Sequence, residues 1–401
     1  MKNQSNVIKE SGLPLIYKVS GDEVPGFGLP ENRKGTAIRA AVTSLAGFQK
    51  EAIVSSRRSG ATWRFVSDEG KNLNGHDAAP PPLGYMAVGM IASYMNEISA
   101  LAALRGVEIR DLTLTLDNYY TMTGSMPRKS MVGGALPVEL TVDIDCSLSG
   151  SALNQFLMDA VYASPMNGLL RGSHDSLFRL ATNGVEIAPA DKSKPALDLL
   201  PRLEVVAVDA GSVAPDEVFL AARGPSPSKE SVNSRASGEY SVKDAKMALI
   251  HVAATARYRA DGVKEIRQQL YAPHGTEWVF LSDESPANLG QGRAPDADSY
   301  VSAGIGFCFM TQFGILISVH KFDVPEYQVL QDTHFSLGGA TGKTGKAGDA
   351  DPIETHIHLV TGESDAVAQE LLVLAEQSCF LHGLCRADLK AKMKVIDRSL
   401  T

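Results

Sequence analysis

Apolar and polar positions alternate along this chain in a pattern that occurs twice. Two 24-residue stretches, "LGYMAVGMIASYMNEISALAALRG" from Leu83 and "DSYVSAGIGFCFMTQFGILISVHK" from Asp298, are apolar around most of a helical circumference. That distribution predicts helices enclosed within a domain, not laid on its surface. Asn, Glu and Ser in the first stretch and Ser and Gln in the second interrupt them too often for convincing membrane spans. Ahead of each helix runs a short segment rich in aromatic and β-branched residues, "TWRFVSDE" and "EWVFLSDE", predicted as strands. After each come alternating segments, "IRDLTLTLDNYY" and "PVELTVDIDCSL" in one case, "YQVLQDTHFSL" and "IETHIHLV" in the other. These read as strands with one wet face. A further helix closes each series, within "SALNQFLMDAVYASPM" and "DAVAQELLVLAEQSCFL". Strands, buried helix, strands and helix make an α+β order.

The recurrence is a tandem duplication at one constant offset. Trp63 and Trp278 stand 215 residues apart, and the same offset pairs Gly89 with Gly304, Asp111 with Glu326, Pro137 with Pro352, Gly168 with Gly383 and Arg171 with Arg386. It also pairs Ser93 with Cys308 and Ser164 with Cys379, so two thiols exist only in the second copy. The expected organisation is an N-terminal extension over residues 1–35, a first unit over 36–221, a linker over 222–246 rich in Pro, Ser, Gly and charge, and a second unit over 247–401. Residues 338–351, "GGATGKTGKAGDAD", lack the spacing of a phosphate-binding loop and are expected to be a hairpin connection.

Composition narrows the function. The chain has 401 residues, 44% hydrophobic and 21% charged, as in ordinary globular proteins of two or three domains. A net charge of −8 argues against nucleic acid or an anionic membrane as a partner. No basic and apolar leader opens the sequence, so a cytoplasmic location is expected. Four cysteines, Cys146, Cys308, Cys379 and Cys385, neither form a disulfide framework nor show zinc-ligand spacing. Neither a metal nor another cofactor is expected. His356 and His358 alternate on one strand face, which is read as a wet sheet surface. Cys146 and Cys385 are read as structural filler.

The second copy resembles the OsmC/Ohr family in Gly304 and Cys308, which match a Gly-x-x-x-Cys on the first helix, and in Cys379, which falls at the second thiol. The resemblance runs over roughly residues 40–175 and 255–395. Where the family writes Cys-Pro, this chain has Cys379-Phe380, and the first copy has Ser164-Pro165. The resemblance implies two OsmC-like domains packed as a pseudo-dimer within one chain around long central helices. It implies a thiol peroxidase in which Cys308 is oxidised by a small apolar substrate, an organic hydroperoxide, and Cys379 resolves the sulfenic acid. A thiol or dithiol reductant would then be the partner. It also places an activating Arg at Arg267 and its carboxylate brace at Asp298, which could equally be a helix cap.

On one helix, Asp298 and Cys308 would lie about 15 Å apart along the axis, so the acid and the Arg would serve a thiol of the opposite copy. Cys308 would then face the first copy, where Leu83 replaces Asp298 and Asp77, Arg57 and Arg58 are the nearest substitutes. Two other functions stay open: a hydrolase or C–C bond cleaving enzyme with Cys308 as nucleophile, and a binding module that uses neither thiol.

Overall fold

The computed structural model describes residues 5–19, 27–33, 35–190, 194–203, 220–225, 248–272, 274–339 and 344–398. The helices are α1 (Val7–Ser11), α2 (Pro82–Arg105), α3 (Gly150–Ala163), α4 (Pro165–Arg171), α5 (Ala297–His320), α6 (Asp365–Ser378) and α7 (Phe380–Arg386). The long pair, α2 and α5, starts and stops on local signals. Pro82 opens α2 at a position that needs no N–H donor, and Gly106 ends it in the left-handed region at φ 65°. The Asp296 side chain accepts from the Ser299 N–H at 2.8 Å to cap α5. Both helices have the length and composition of a membrane span, yet most of each is buried within the protein. Their all-round apolarity thus matches an interior position between two sheets.

The first sheet runs β1 (Ile16–Val19), β4 (Ala61–Ser67), β3 (Lys50–Ser56), β2 (Thr36–Ser44), β15 (Glu326–Ser336), β17 (Ile353–Val360), β8 (Ser176–Thr182) and β10 (Lys194–Pro195). The second runs β11 (Ala221–Arg223), β14 (His274–Ser282), β13 (Lys264–Ala272), β12 (Ala248–Tyr258), β5 (Ile109–Thr123), β7 (Glu139–Cys146) and β18 (Lys392–Asp397). Each sheet therefore mixes the two halves of the chain. The first-half meander β2–β4 joins second-half β15 and β17 through the antiparallel β2–β15 ladder. The second-half meander β12–β14 joins first-half β5 and β7 through the antiparallel β12–β5 ladder. The halves are units of sequence; the sheets are built by exchange between them.

The two long helices pack against each other and each faces a sheet. Their crossing is set by the paired glycines. A Cβ on Gly304 would lie 2.8 Å from Met86 N and 3.2 Å from Pro82 O, and one on Gly89 would lie 2.6 Å from Ala297 O and 2.8 Å from Val301 N. In both cases the obstruction is the backbone of the other helix. The contact recurs with the halves exchanged, as do others: Tyr85 Oη donates to Val66 O at 2.6 Å, and Tyr300 Oη donates to Leu281 O at 2.5 Å.

Some expectations change. The linker expected over 222–246 begins within β11, because Ala222 and Arg223 pair with Val279 and Trp278; beyond residue 225 it lies outside the described residues. Part of the N-terminal extension joins the fold, with β1 pairing along β4. The glycine-rich stretch leads from β15 into the antiparallel β16 (Asp349–Ala350), although residues 340–343 lie outside the described residues. His356 and His358 do not face water: His356 Nδ1 accepts from Leu200 N at 3.2 Å, and His358 Nε2 pairs with Leu200 O at 2.8 Å. The segment around Leu200 covers that sheet face, and burial pushes the His356 pKa down to about 4.

At an unconstrained helix position, Gly to Ala would add stability through helix propensity. For Gly304→Ala the backbone obstruction reverses the sign, and a loss of about 1–3 kcal/mol is expected. Urea denaturation measures it, and an unchanged or raised midpoint would count against the close crossing.

Candidate functional site

Cys308 lies midway along α5, and Cys379 lies at the break between α6 and α7, where its extended backbone (φ −73°, ψ 119°) separates the two helices. The two Sγ atoms are 3.5 Å apart and both residues are buried. A disulfide needs about 2.05 Å between sulfurs, so a modest approach would join them. His382, one turn beyond Cys379, places Nδ1 3.2 Å from Cys379 Sγ. Its ring centroid is 4.7 Å from that of Phe309 and 6.0 Å from that of Phe178. Burial holds the His382 pKa down to about 4, so the imidazole is neutral at pH 7. Burial, followed by the contact with Cys379, pushes the Cys308 thiol well above its usual value, while the Leu381 N–H opposes this. Cys385 is pushed up to about 12 by burial, and the Cys146 thiol donates to Leu148 O at 3.4 Å; both are buried.

Of the two central cysteines, Cys308 lines the adjoining cavity and Cys379 does not. A cavity of about 670 Å³ is lined by Cys308, Thr311, Gln312 and Ile315, which repeat along one face of α5, and by Phe380 but not Cys379. Leu83 and the adjoining Pro81 and Pro82 come from the start of α2, Met122, Met126 and Met131 from the first half, and Leu249, Ile250 and Leu270 from the second. The walls are largely apolar. The charged lining residues include Glu69, Lys71, Asp77, Arg223 and Glu277. Glu69 accepts from Thr311 Oγ1 at 2.6 Å and pairs with Lys50 at 3.3 Å. Arg223 pairs with Asp77 at 3.0 Å, donates to Thr276 Oγ1 at 2.7 Å and lies 4.8 Å from the Trp278 ring centroid.

The residues singled out from sequence fall into two groups. Cys308 and Cys379 come together. Arg267 and Asp298 are not brought to them. Gln268 packs towards Gly84 of α2, so strand alternation turns Arg267 to the outer face, half exposed and 3.4 Å from both Glu265 and Glu277. Asp298 is in the first turn of α5, ten residues before Cys308, and pairs with Arg58 of the first half at 2.7 Å. Burial outweighs that arginine and lifts the Asp298 pKa to about 7. Leu83, the counterpart of Asp298, does face the Cys308 cavity, as the pseudo-dimeric reading requires. The Arg–carboxylate pair there is Arg223 with Asp77.

Sequence reasoning missed Arg223 because it stands at the edge of a Pro- and Ser-rich segment. Its flanking "FLAAR", a short apolar run ending in a charge, was the only available sign of a strand. Glu69 and His382 were missed as well. Glu69 had one signal: it aligns at the constant offset with Glu284, and both sit in the repeated "SDE". The structure repeats the arrangement, since Asn96, the counterpart of Thr311, donates to Glu284 at 2.6 Å and accepts from Lys264 at 2.7 Å. Ser93 and Ser164 likewise stand 2.8 Å apart, reproducing the thiol pair with hydroxyls.

The architecture is thus an α+β fold in which two sheets enclose two long helices, with a buried dithiol at the wall of an apolar cavity. Residues 290–394, which carry both central thiols, match the family model described as OsmC-like protein. The crystal structure of an OsmC-like hydroperoxide resistance protein from Jannaschia sp. CCS1 is similar at 18% identity over 33% of this chain and 81% of that one, with a TM-score of 0.19. No match is found among curated proteins.

Two outcomes follow from the charges. The Cys308 thiol, raised well above 9.0, should be alkylated by iodoacetamide at a rate that keeps climbing past pH 9, as read by peptide mapping; a plateau below about pH 8 would contradict this. Asp298 holds its proton to about pH 7 when folded against 3.8 in its usual state, so the folded state loses relative stability as pH rises through that window. Denaturant titrations should show a steeper decline from pH 4 to 7 for wild type than for Asp298→Asn, and equal slopes would count against the raised pKa.

Proposed function

We propose that this protein is a thiol peroxidase that reduces an organic hydroperoxide through Cys308, with Cys379 resolving. The observation that carries the reading is the 3.5 Å separation of the two sulfurs when Cys308 alone lines an apolar cavity. A hydroperoxide with an apolar body would enter among the methionine and aliphatic walls and present its O–O bond to Cys308. Cys308 Sγ bonds to one peroxide oxygen and the O–O bond breaks. The alkoxide leaves as an alcohol with the thiol proton, and Cys308 becomes a sulfenic acid. Cys379 Sγ then displaces the sulfenic oxygen as water to form the disulfide. An external thiol or dithiol, as reductant, returns both cysteines to the reduced state.

The charges around Cys308 divide into those that favour a thiolate and those that oppose it. The Leu381 N–H favours it, and Arg223 and Lys71 are cations lining the same cavity; burial and Glu69 oppose it. Arg223 lines this cavity, paired with Asp77, whereas Arg267, to which the resemblance assigned the activating role, does not. A cysteine-nucleophile hydrolase would need its base beside Cys308, but the imidazole contacts Cys379, on the side away from the cavity. That placement favours the two-thiol reaction over attack on carbon. The similarity to an OsmC-like hydroperoxide resistance protein is consistent with this substrate class.

The test uses one equivalent of cumene hydroperoxide followed by dimedone and intact mass measurement. Cys379→Ser should accumulate a dimedone adduct at Cys308, Cys308→Ser should give none, and wild type should lose two thiols without an adduct. Thiols that stay reduced in wild type would refute the peroxidase, and carbonyl or ester turnover lost in Cys308→Ala would replace it with the hydrolase.

A further inference from the structure

Beyond the two sulfurs, away from the cavity, stands a third group. Cys308 Sγ, Cys379 Sγ and His382 Nδ1 follow one another at 3.5 and 3.2 Å, and only Cys308 lines the cavity. His382 is fully buried between aromatic rings, and its Nε2 has no hydrogen-bond partner among the described residues. Enclosing an imidazole with one nitrogen unsatisfied is costly. The contact with Cys379 Sγ is its hydrogen bond. In the first half the equivalent position is Asn167, three residues after Ser164. The imidazole therefore accompanies the thiol pair, and the half that carries hydroxyls has an amide in its place.

We infer that His382 Nδ1 accepts the Cys379 thiol proton while Cys379 attacks oxidised Cys308, which makes His382 the general base of disulfide formation. The inference rests on the two-thiol reaction proposed above. In this step the Cys379 S–H bond breaks and its proton passes to Nδ1 of the tautomer that carries hydrogen on Nε2. The Sγ–Sγ bond forms as the S–O bond of the sulfenic acid breaks. The departing hydroxide takes up one proton, so water leaves and the imidazole ends neutral. No further oxidant enters, because the electrons lost by Cys379 are those gained by the sulfenic sulfur. The other ionisable groups around the ring are the two thiols and the Glu376–Arg386 pair, whose members bond to each other at 2.6 Å. Neither of those charges replaces the imidazole at Cys379 Sγ.

Rapid-quench mass analysis separates the two chemical steps. After mixing with cumene hydroperoxide, sulfenic acid formation at Cys308 depends on peroxide concentration, and disulfide formation does not. His382→Asn, which installs the first-half residue, and His382→Gln are expected to leave the first step unchanged and to slow the second about 100-fold, the scale of general-base catalysis. In both variants the slow step should also accelerate with rising pH, as hydroxide takes over proton removal. An unchanged second step in both variants would overturn the assignment. Equal slowing of both steps would overturn it too, since that marks a packing role. Failure of the peroxidase reading looks different: wild type itself would form no sulfenic acid.

Discussion

The structure depends on the close contact of two helix backbones at Gly89 and Gly304. A Cβ at either position would fall within 3 Å of the other helix's main chain, so the long helices can lie side by side only because both copies keep glycine there. That contact places α2 and α5 back to back between two sheets and brings the start of α2 to the face of α5 that carries Cys308. The exchange of strands between the halves reinforces it. With β2 paired to β15 and β12 paired to β5, neither half can leave without breaking a ladder through the middle of a sheet. The cavity is consequently walled by both halves, and its chemistry can be altered from either.

The two similar halves of the framework have different interiors. At matched positions, thiols in one half stand where hydroxyls stand in the other, at 3.5 and 2.8 Å. Leu83 faces the thiol cavity, whereas its counterpart Asp298 is buried against Arg58. Glu69 and Glu284 keep equivalent places, each bound by a side chain from a long helix and neighbouring a buried lysine. The framework contacts are matched in the two halves, while the side chains at the centre of each differ.

Much of this was legible in the sequence. The constant offset and the two apolar stretches gave the long buried helices, and the family resemblance carried by Gly304, Cys308 and Cys379 gave the sulfur pair. The partners of that pair were harder to read. Strand alternation decides whether Arg267 faces in or out, and which residue of "KEIRQQL" points inward is not visible from local composition. Arg223 reaches the cavity only because β11 adds to the edge of a sheet formed by exchange, a long-range pairing without a local signature. His382 carries no local signature in the sequence. Its meaning appears once the break at Cys379 turns α7 and brings the ring beneath the sulfur. The histidines of β17 were misjudged because their cover, around Leu200, comes from a segment distant in sequence.

The central claim is that Cys308 and Cys379 form one redox unit. Its most direct test is non-reducing peptide mapping of wild-type protein after a single equivalent of cumene hydroperoxide. The account predicts one dominant cross-linked peptide joining Cys308 to Cys379, with Cys146 and Cys385 still free, and its disappearance on treatment with a dithiol. Recovery of all four cysteines as free thiols, or of Cys308 oxidised while Cys379 remains unlinked, would contradict it.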